Sequence, residues 1–109
     1  MLIARRHLVV TSDSGDKEVV VQVFQPEKDE DSWICRYEID WPHQTSSRYA
    51  AGFDSVQAVV LALQMVGAEI YASSYHRSGS LKWTEQGQGY GFPVPHSLRD
   101  LLIGDDVTL

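Results

Sequence analysis

A single change of period, at Gly52, governs what this chain can fold into. Before it, apolar residues recur at every second position or in short β-branched runs; after it, they recur at steps of three and four. The clearest alternating run is WICRYEIDW, residues 33–41, where Trp33, Cys35, Tyr37, Ile39 and Trp41 alternate with Ile34, Arg36, Glu38 and Asp40. Successive strand side chains point to opposite faces, so three large rings, a thiol and an isoleucine share one side and mostly charge lies on the other. In FDSVQAVVLALQMVGAEIYASSY, Val56, Val59, Val60, Leu63, Val66 and Ile70 follow a helical stripe instead. A sheet with one apolar face and a helix long enough to cover it make an α+β domain.

The remaining segments fill in that plan. Residues 2–10 and 18–25 are rich in Val, Ile and Leu and flank TSDSGDK, whose Asp, Ser and Gly suit a turn, so they predict a β-hairpin. PEKDEDS, residues 26–32, reads as a charged loop after Pro26 ends the strand. The 33–41 stripe is the third strand, PHQTS turns the chain, and SRYAA at 47–51 completes an antiparallel meander. SLKWTE, with Leu81 and Trp83 on one face, predicts a fifth strand. GQGYGFPVP, residues 87–95, reads as extended and irregular, HSLRDLLI as a short C-terminal helix with Leu98, Leu101 and Leu102 inward, and residues 103–109 as a frayed tail. The expectation is one domain over residues 1–109: a meander sheet of about five strands, one long amphipathic helix on one face and a short C-terminal helix. EVVVQVF is apolar on both faces, so the side that the helix covers in the first two strands stays open.

The helix carries its own punctuation. Asp54 or Ser55 can accept from the first free amides, and Gln57, three residues after Asp54, completes a capping-box pattern. Gly67 costs the helix interior about 1 kcal/mol relative to alanine, which is offset if the missing side chain permits close packing against the sheet.

Composition excludes several classes of function. Nine basic against fifteen acidic residues give a net charge of -6, which repels phosphate backbones and anionic lipid. The one basic cluster, ARRH at 4–7, divides Arg5 and Arg6 between opposite strand faces, so nucleic acid is not an expected partner. Cys35 is the only cysteine, which precludes an internal disulfide or thiolate cluster and fits a reducing cytoplasm. The apolar segment AVVLALQMVGAEI is interrupted by Gln64, Gly67 and Glu69, and neither a signal peptide nor a membrane span is expected.

No catalytic residue, cofactor or metal is assigned. His7, His43, His76 and His96 lie in separate segments without zinc-ligand spacing. There is no Gly-x-Ser-x-Gly, and Cys35 on an apolar face reads as inert packing. GQGYGFP lacks the following helix and the lysine of a phosphate-binding loop. PEKDEDS lacks the glycine and spaced ligands of a calcium loop, leaving solvation or a basic protein partner as its use.

Two functional readings follow. The first is a non-catalytic module that binds another protein or a second copy of itself through an exposed strand edge, with Trp41, Trp83, Tyr90 and Phe92 as the aromatic contacts. Trp33, Tyr37 and Trp41 belong to the core in this reading, with Trp41, at the strand end, partly open. The second is a small-ligand-binding domain or minor enzyme with a pocket between helix and sheet lined by Tyr37, Tyr49, Tyr71 and His76.

The residues GFDSVQAVVLALQMVGAEI, preceded by CRYEIDWP and followed by GSLKW and GFPVP, resemble a small bacterial family known as a domain of unknown function, over roughly residues 33–95. The resemblance implies the fold and a bacterial source and brings no catalytic residue with it. A looser, architectural likeness is to HicB-type antitoxin domains, in which strands precede a capped helix that packs on the sheet. The acidic balance fits an antitoxin- or immunity-type partner protein.

Overall fold

The computed structural model describes residues 1–109. Strands β1 (Leu2–Val10), β2 (Lys17–Phe24), β3 (Glu27–Asp29), β4 (Ser32–Asp40), β5 (Thr45–Gly52) and β6 (Leu81–Lys82) form one antiparallel sheet, with helix α1 (Ser55–Ala72) and the single turn α2 (Ser74–Arg77) following β5. One side of β4 pairs with β2 through Tyr37–Asp40 and with β3 through Ser32–Ile34; the other side pairs with β5 along its length. The order across the sheet is therefore β6, β1, β2 together with β3, β4, β5. The meander is as expected, with β6 added beside β1.

Two segments depart from the sequence reading. The charged stretch after Pro26 is not all loop: Glu27–Asp29 pair with β4 and close a hairpin in which Glu30 has φ 51°. Its side chains all stay exposed, so an edge strand satisfies their hydration as well as a loop would. The strand expected over SLKWTE is only two residues long, Leu81 and Lys82 opposite Val10 and Val9. Trp83 then leaves the sheet to lie against the Arg6 guanidinium, 3.8 Å from the ring centroid.

The helix side of the first two strands is settled by burial. Leu8, Val10, Val19, Val21 and Val23 are buried, while Val9, Val20, Gln22 and Phe24 face the other way and are half-buried. With Cys35, Tyr37, Ile39 and Ala50 they form the floor on which Ala58, Ala62, Val66 and Ile70 of α1 rest. The buried stripe is thus rotated from the expected one: Val66 and Ile70 are inside, but Val56 and Val60 face solvent. Small residues explain the rotation. A Cβ on Gly52 would come within 2.6 Å of the Ala58 backbone nitrogen, so β5 and the first turns of α1 touch backbone to backbone and turn the larger valines outward.

The cap forms as read, with Asp54 accepting from the Gln57 amide at 2.8 Å; Gln57 returns the contact one residue earlier than the pattern implies, accepting from the Phe53 amide at 2.7 Å. Helix α1 runs unbroken through Gly67, where a side chain would overlap the Pro93 carbonyl oxygen. Close packing is the reason for the glycine, but its partner is the 87–95 segment and not the sheet. Although α1 is long and apolar enough to cross a membrane by composition, its buried face is that of a core helix packed on β4 and β5.

The C-terminus is tied down. The expected short C-terminal helix forms as a 3-10 helix over His96–Leu101, a second 3-10 turn spans Gly104–Thr108, Leu101 is exposed while Leu98 and Leu102 are half-buried, and Asp106 is 1 % exposed. The segment read as a frayed tail therefore contributes a buried carboxylate to the fold.

Candidate functional site

Three neighbourhoods concentrate the side chains with chemical potential. The first surrounds Asp106. Its Oδ2 accepts from the Tyr71 hydroxyl at 2.6 Å and the Tyr90 amide at 2.8 Å, and its Oδ1 from the Gly91 amide at 2.7 Å. Gly89 and Gly91, at φ 89° and 75°, bend the chain so that both amides reach the carboxylate, a conformation that glycine adopts without strain. Tyr71 in turn accepts from the Ile103 amide at 3.2 Å, and the Tyr90 hydroxyl lies 2.6 Å from His76 Nδ1. Arg6 closes the far side, donating to the Tyr90 and Gly91 carbonyls at 3.2 and 2.9 Å and lying between Trp83 and Phe92.

The electrostatics of this knot favour neutral, hydrogen-bonded side chains. Burial, reinforced by Asp106, pushes the Tyr71 hydroxyl well above its ordinary range and the Tyr90 hydroxyl up to about 12. Burial lowers His76, which favours the neutral imidazole beside the Tyr90 hydroxyl. Every buried side-chain polar atom in the molecule has a partner. A buried network with its members satisfied holds structure together.

The second neighbourhood is a polar cleft at the C-terminal end of α1. Glu69 accepts from the Tyr37 hydroxyl at 3.0 Å and the Trp41 indole N–H at 3.2 Å, and pairs with Arg48 Nε at 3.7 Å. Burial, then Glu69, pushes the Tyr37 hydroxyl far above its ordinary range, so it remains a donor. Tyr75 stacks on Trp41 with centroids 5.5 Å apart and shares a hydrogen bond of 3.0 Å with His43 Nδ1. Arg48, Arg77, His43 and the serines 46, 73 and 74 complete a cleft of about 320 Å³.

The third neighbourhood is apolar. Phe53, 91 % exposed, and Val56, 68 % exposed, lie on the outer side of the α1 N-terminus, followed by exposed Val60 and half-buried Val59 and Leu63. Shallow hollows flank this strip: Pro26 lines one with Val56, Val59 and Val60, and Asp31 lines the other with Phe53 and Leu61. Asp31 lines the second hollow, Asp54 caps the helix start and Glu30 lies in the adjacent turn, all three exposed; Glu27 and Asp29, opposite Ile34 and Ser32, share the outer face of the sheet instead, and Lys28 lies opposite Trp33.

The residues singled out from sequence distribute among these places. Trp41, Tyr90 and Phe92 are buried, and only Trp83 of that set is exposed, so they form no shared surface patch. Trp41, expected partly open, is 6 % exposed because Tyr75 covers it. The glycines of 87–91 turn Tyr90 and Phe92 inward to close the core. Of the four expected pocket residues, Tyr71 and His76 do meet, edge to face with centroids 4.7 Å apart. Tyr37 lies under α1 at Glu69, Tyr49 is exposed on the opposite face of the sheet, and no cavity is common to all four. Sequence reasoning missed Glu69, Arg48, Asp106 and Phe53. Tyr71, at a buried position and needing a hydroxyl partner, was the available signal for Asp106.

Residues 4–94 match the family model described as a domain of unknown function, DUF6968. The chain belongs to this family. DUF6968 membership runs from β1 through the 87–95 segment and takes in Arg6, Glu69, Tyr71 and Tyr90, while Asp106 lies beyond the matched span. No curated protein and no solved structure matches the chain. The DUF6968 match therefore assigns the fold unit, and the roles of individual side chains rest on their geometry.

Proposed function

We propose that the protein is a non-catalytic binding module, bacterial and cytoplasmic, that recognises another protein through the N-terminal half of α1. The observation that carries this reading is the strip of Phe53, Val56 and Val60, apolar and exposed at the outer side of a helix whose opposite side is already packed. A phenylalanine in water at the start of a helix gives the fold nothing, whereas large aromatic side chains supply binding energy when a partner covers them. The acidic rim names the partner's chemistry. Asp31 and Asp54, with Glu30 in the adjacent turn, favour an apolar ridge bordered by Lys or Arg, and they oppose a second copy of the same acidic surface. An immunity- or antitoxin-type role falls within this reading, and the buried, high-pKa thiol of Cys35 accords with a reducing compartment.

The test compares capture of basic proteins from source lysate by the wild-type chain, a Phe53→Asp/Val56→Asp variant and a variant with residues 29–31 neutralised. The reading expects one stoichiometric partner, released by salt, weakened by loop neutralisation and lost with the apolar substitutions, from a chain that light scattering shows to be monomeric. Equal capture by all three chains overturns it, as does a homodimer that the Phe53 and Val56 substitutions dissolve.

A further inference from the structure

The cleft at the opposite end of α1 holds more hydrogen-bond donors than the protein uses. Arg48 has one protein acceptor within reach, Glu69, approached through Nε, which leaves both terminal amino groups unpaired. Arg77 spends Nη1 on the Ala72 carbonyl at 2.5 Å and keeps its other nitrogens. His43 is engaged through Nδ1 alone. Ser46 and Ser74 line the same cleft with hydroxyls that meet no protein partner. Glu69 is the only carboxylate in the lining, and the Tyr37 hydroxyl, the Trp41 indole and Arg48 already occupy it.

Two guanidiniums against one carboxylate leave a net positive charge in this hollow, with the His43 ring beside it, on a chain whose net charge is -6. The general composition of the surface does not produce this. Guanidinium groups match the paired oxygens of carboxylates and phosphates, and their bonds to anions are stronger than those between neutral groups. At about 320 Å³ the cleft suits a small molecule, and the surrounding negative charge opposes a polyanion.

We propose that this cleft binds a small multivalent anion, a phosphate ester or polycarboxylate, held by Arg48 and Arg77 with His43, Ser46 and Ser74 as further donors. Glu69 acts as a positioning residue, fixing the Arg48 side chain against β5 while Tyr37 and Trp41 fix Glu69. The site is separate from the apolar strip, and its occupancy does not depend on the protein-binding reading.

The experiment is calorimetric titration of the full chain with pyrophosphate and, separately, with citrate at matched ionic strength, following the Trp41 indole N–H resonance in parallel. One-to-one saturable binding of at least one probe is expected, with a shift of that resonance. Arg48→Gln/Arg77→Gln should weaken it by about tenfold or more in a chain that still unfolds cooperatively. Arg36→Gln, an equal change of charge on the other face of the sheet, should leave it unaltered. Pyrophosphate alone identifies a phosphoryl ligand, and citrate alone a carboxylate ligand. No saturable binding of either probe, equal affinity in the Arg48 and Arg77 variant, or equal weakening by Arg36→Gln overturns the proposal.

Discussion

Three donors converge on Asp106, and that single side chain joins the last turn of the molecule to α1 and to the glycine-rich segment. Asp106→Asn leaves one carbonyl oxygen to serve donors that two carboxylate oxygens served, and turns an amide towards them. Each buried donor left unpaired costs about 1–3 kcal/mol. The expected result is a fall of about 3 kcal/mol in urea-unfolding stability, with a signal from Tyr71 and Tyr90. A change below about 0.5 kcal/mol, the level of an ordinary surface substitution, would show that the tail is not clasped. The tyrosines also set an alkaline limit. Tyr37, Tyr71 and Tyr90 are all raised above the ordinary value of 10, so the folded chain keeps protons that the unfolded chain releases. Their contribution is fully present below pH 10 and declines as pH rises from there, that of Tyr90 being spent by about 12 while those of Tyr37 and Tyr71, raised further, extend to higher pH. Urea midpoints measured across that range should fall steeply, with phenolate absorbance appearing together with unfolding. Phenolate formed by Tyr37, Tyr71 or Tyr90 near pH 10 in the folded chain would contradict the burial. His76 acts at the other end: its lowered value means stability present above 6.5 and lost as pH falls below it.

At the scale of elements, α1 tests which contacts decide its placement. Gly67→Ala gains about 1 kcal/mol of helix propensity but pushes a methyl group into the Pro93 carbonyl, an overlap that costs about 1–3 kcal/mol. The net expectation is destabilisation, read as a lower melting temperature; a stabilised variant would mean that the 87–95 segment does not lie on the helix. Ala58→Leu should destabilise by about 1–3 kcal/mol, while Val60→Lys should change stability by no more than about 0.5 kcal/mol. The opposite order would restore the stripe read from sequence. That stripe shows where legibility stops. Periodicity revealed the helix, its cap at Asp54 and the four main strands, because alternation and three-four spacing are local properties. It could not reveal that Ala58 and Ala62 lie inside, since their burial follows from the contact with Gly52 and not from their own hydrophobicity. The short β6 and the Asp106 clasp were hidden for a related reason: each is fixed by a partner distant in sequence, Val9 and Val10 or Tyr71 and Tyr90, whereas the β3 hairpin pairs locally and was hidden by side chains as charged as those of a loop.

At the scale of the whole molecule, α1 separates two surfaces of opposite character. Its N-terminal half presents Phe53, Val56 and Val60 within an acidic rim, and its C-terminal end adjoins the cationic cleft around Arg48 and Arg77. The knot of Asp106, Tyr71, Tyr90 and His76 lies between sheet, helix and tail, apart from both surfaces. This division is why the aromatic residues most conspicuous in sequence proved structural. Rings at buried positions complete the core, while the exposed phenylalanine stands at a helix start where periodicity assigns it no face. The most direct measurement of the central claim is amide hydrogen exchange of the chain with and without its captured protein partner. The account predicts new protection at residues 53–60 and 27–31, with β5 and residues 73–77 unchanged. Protection confined to the free edge of β5, or to the cleft, would contradict it.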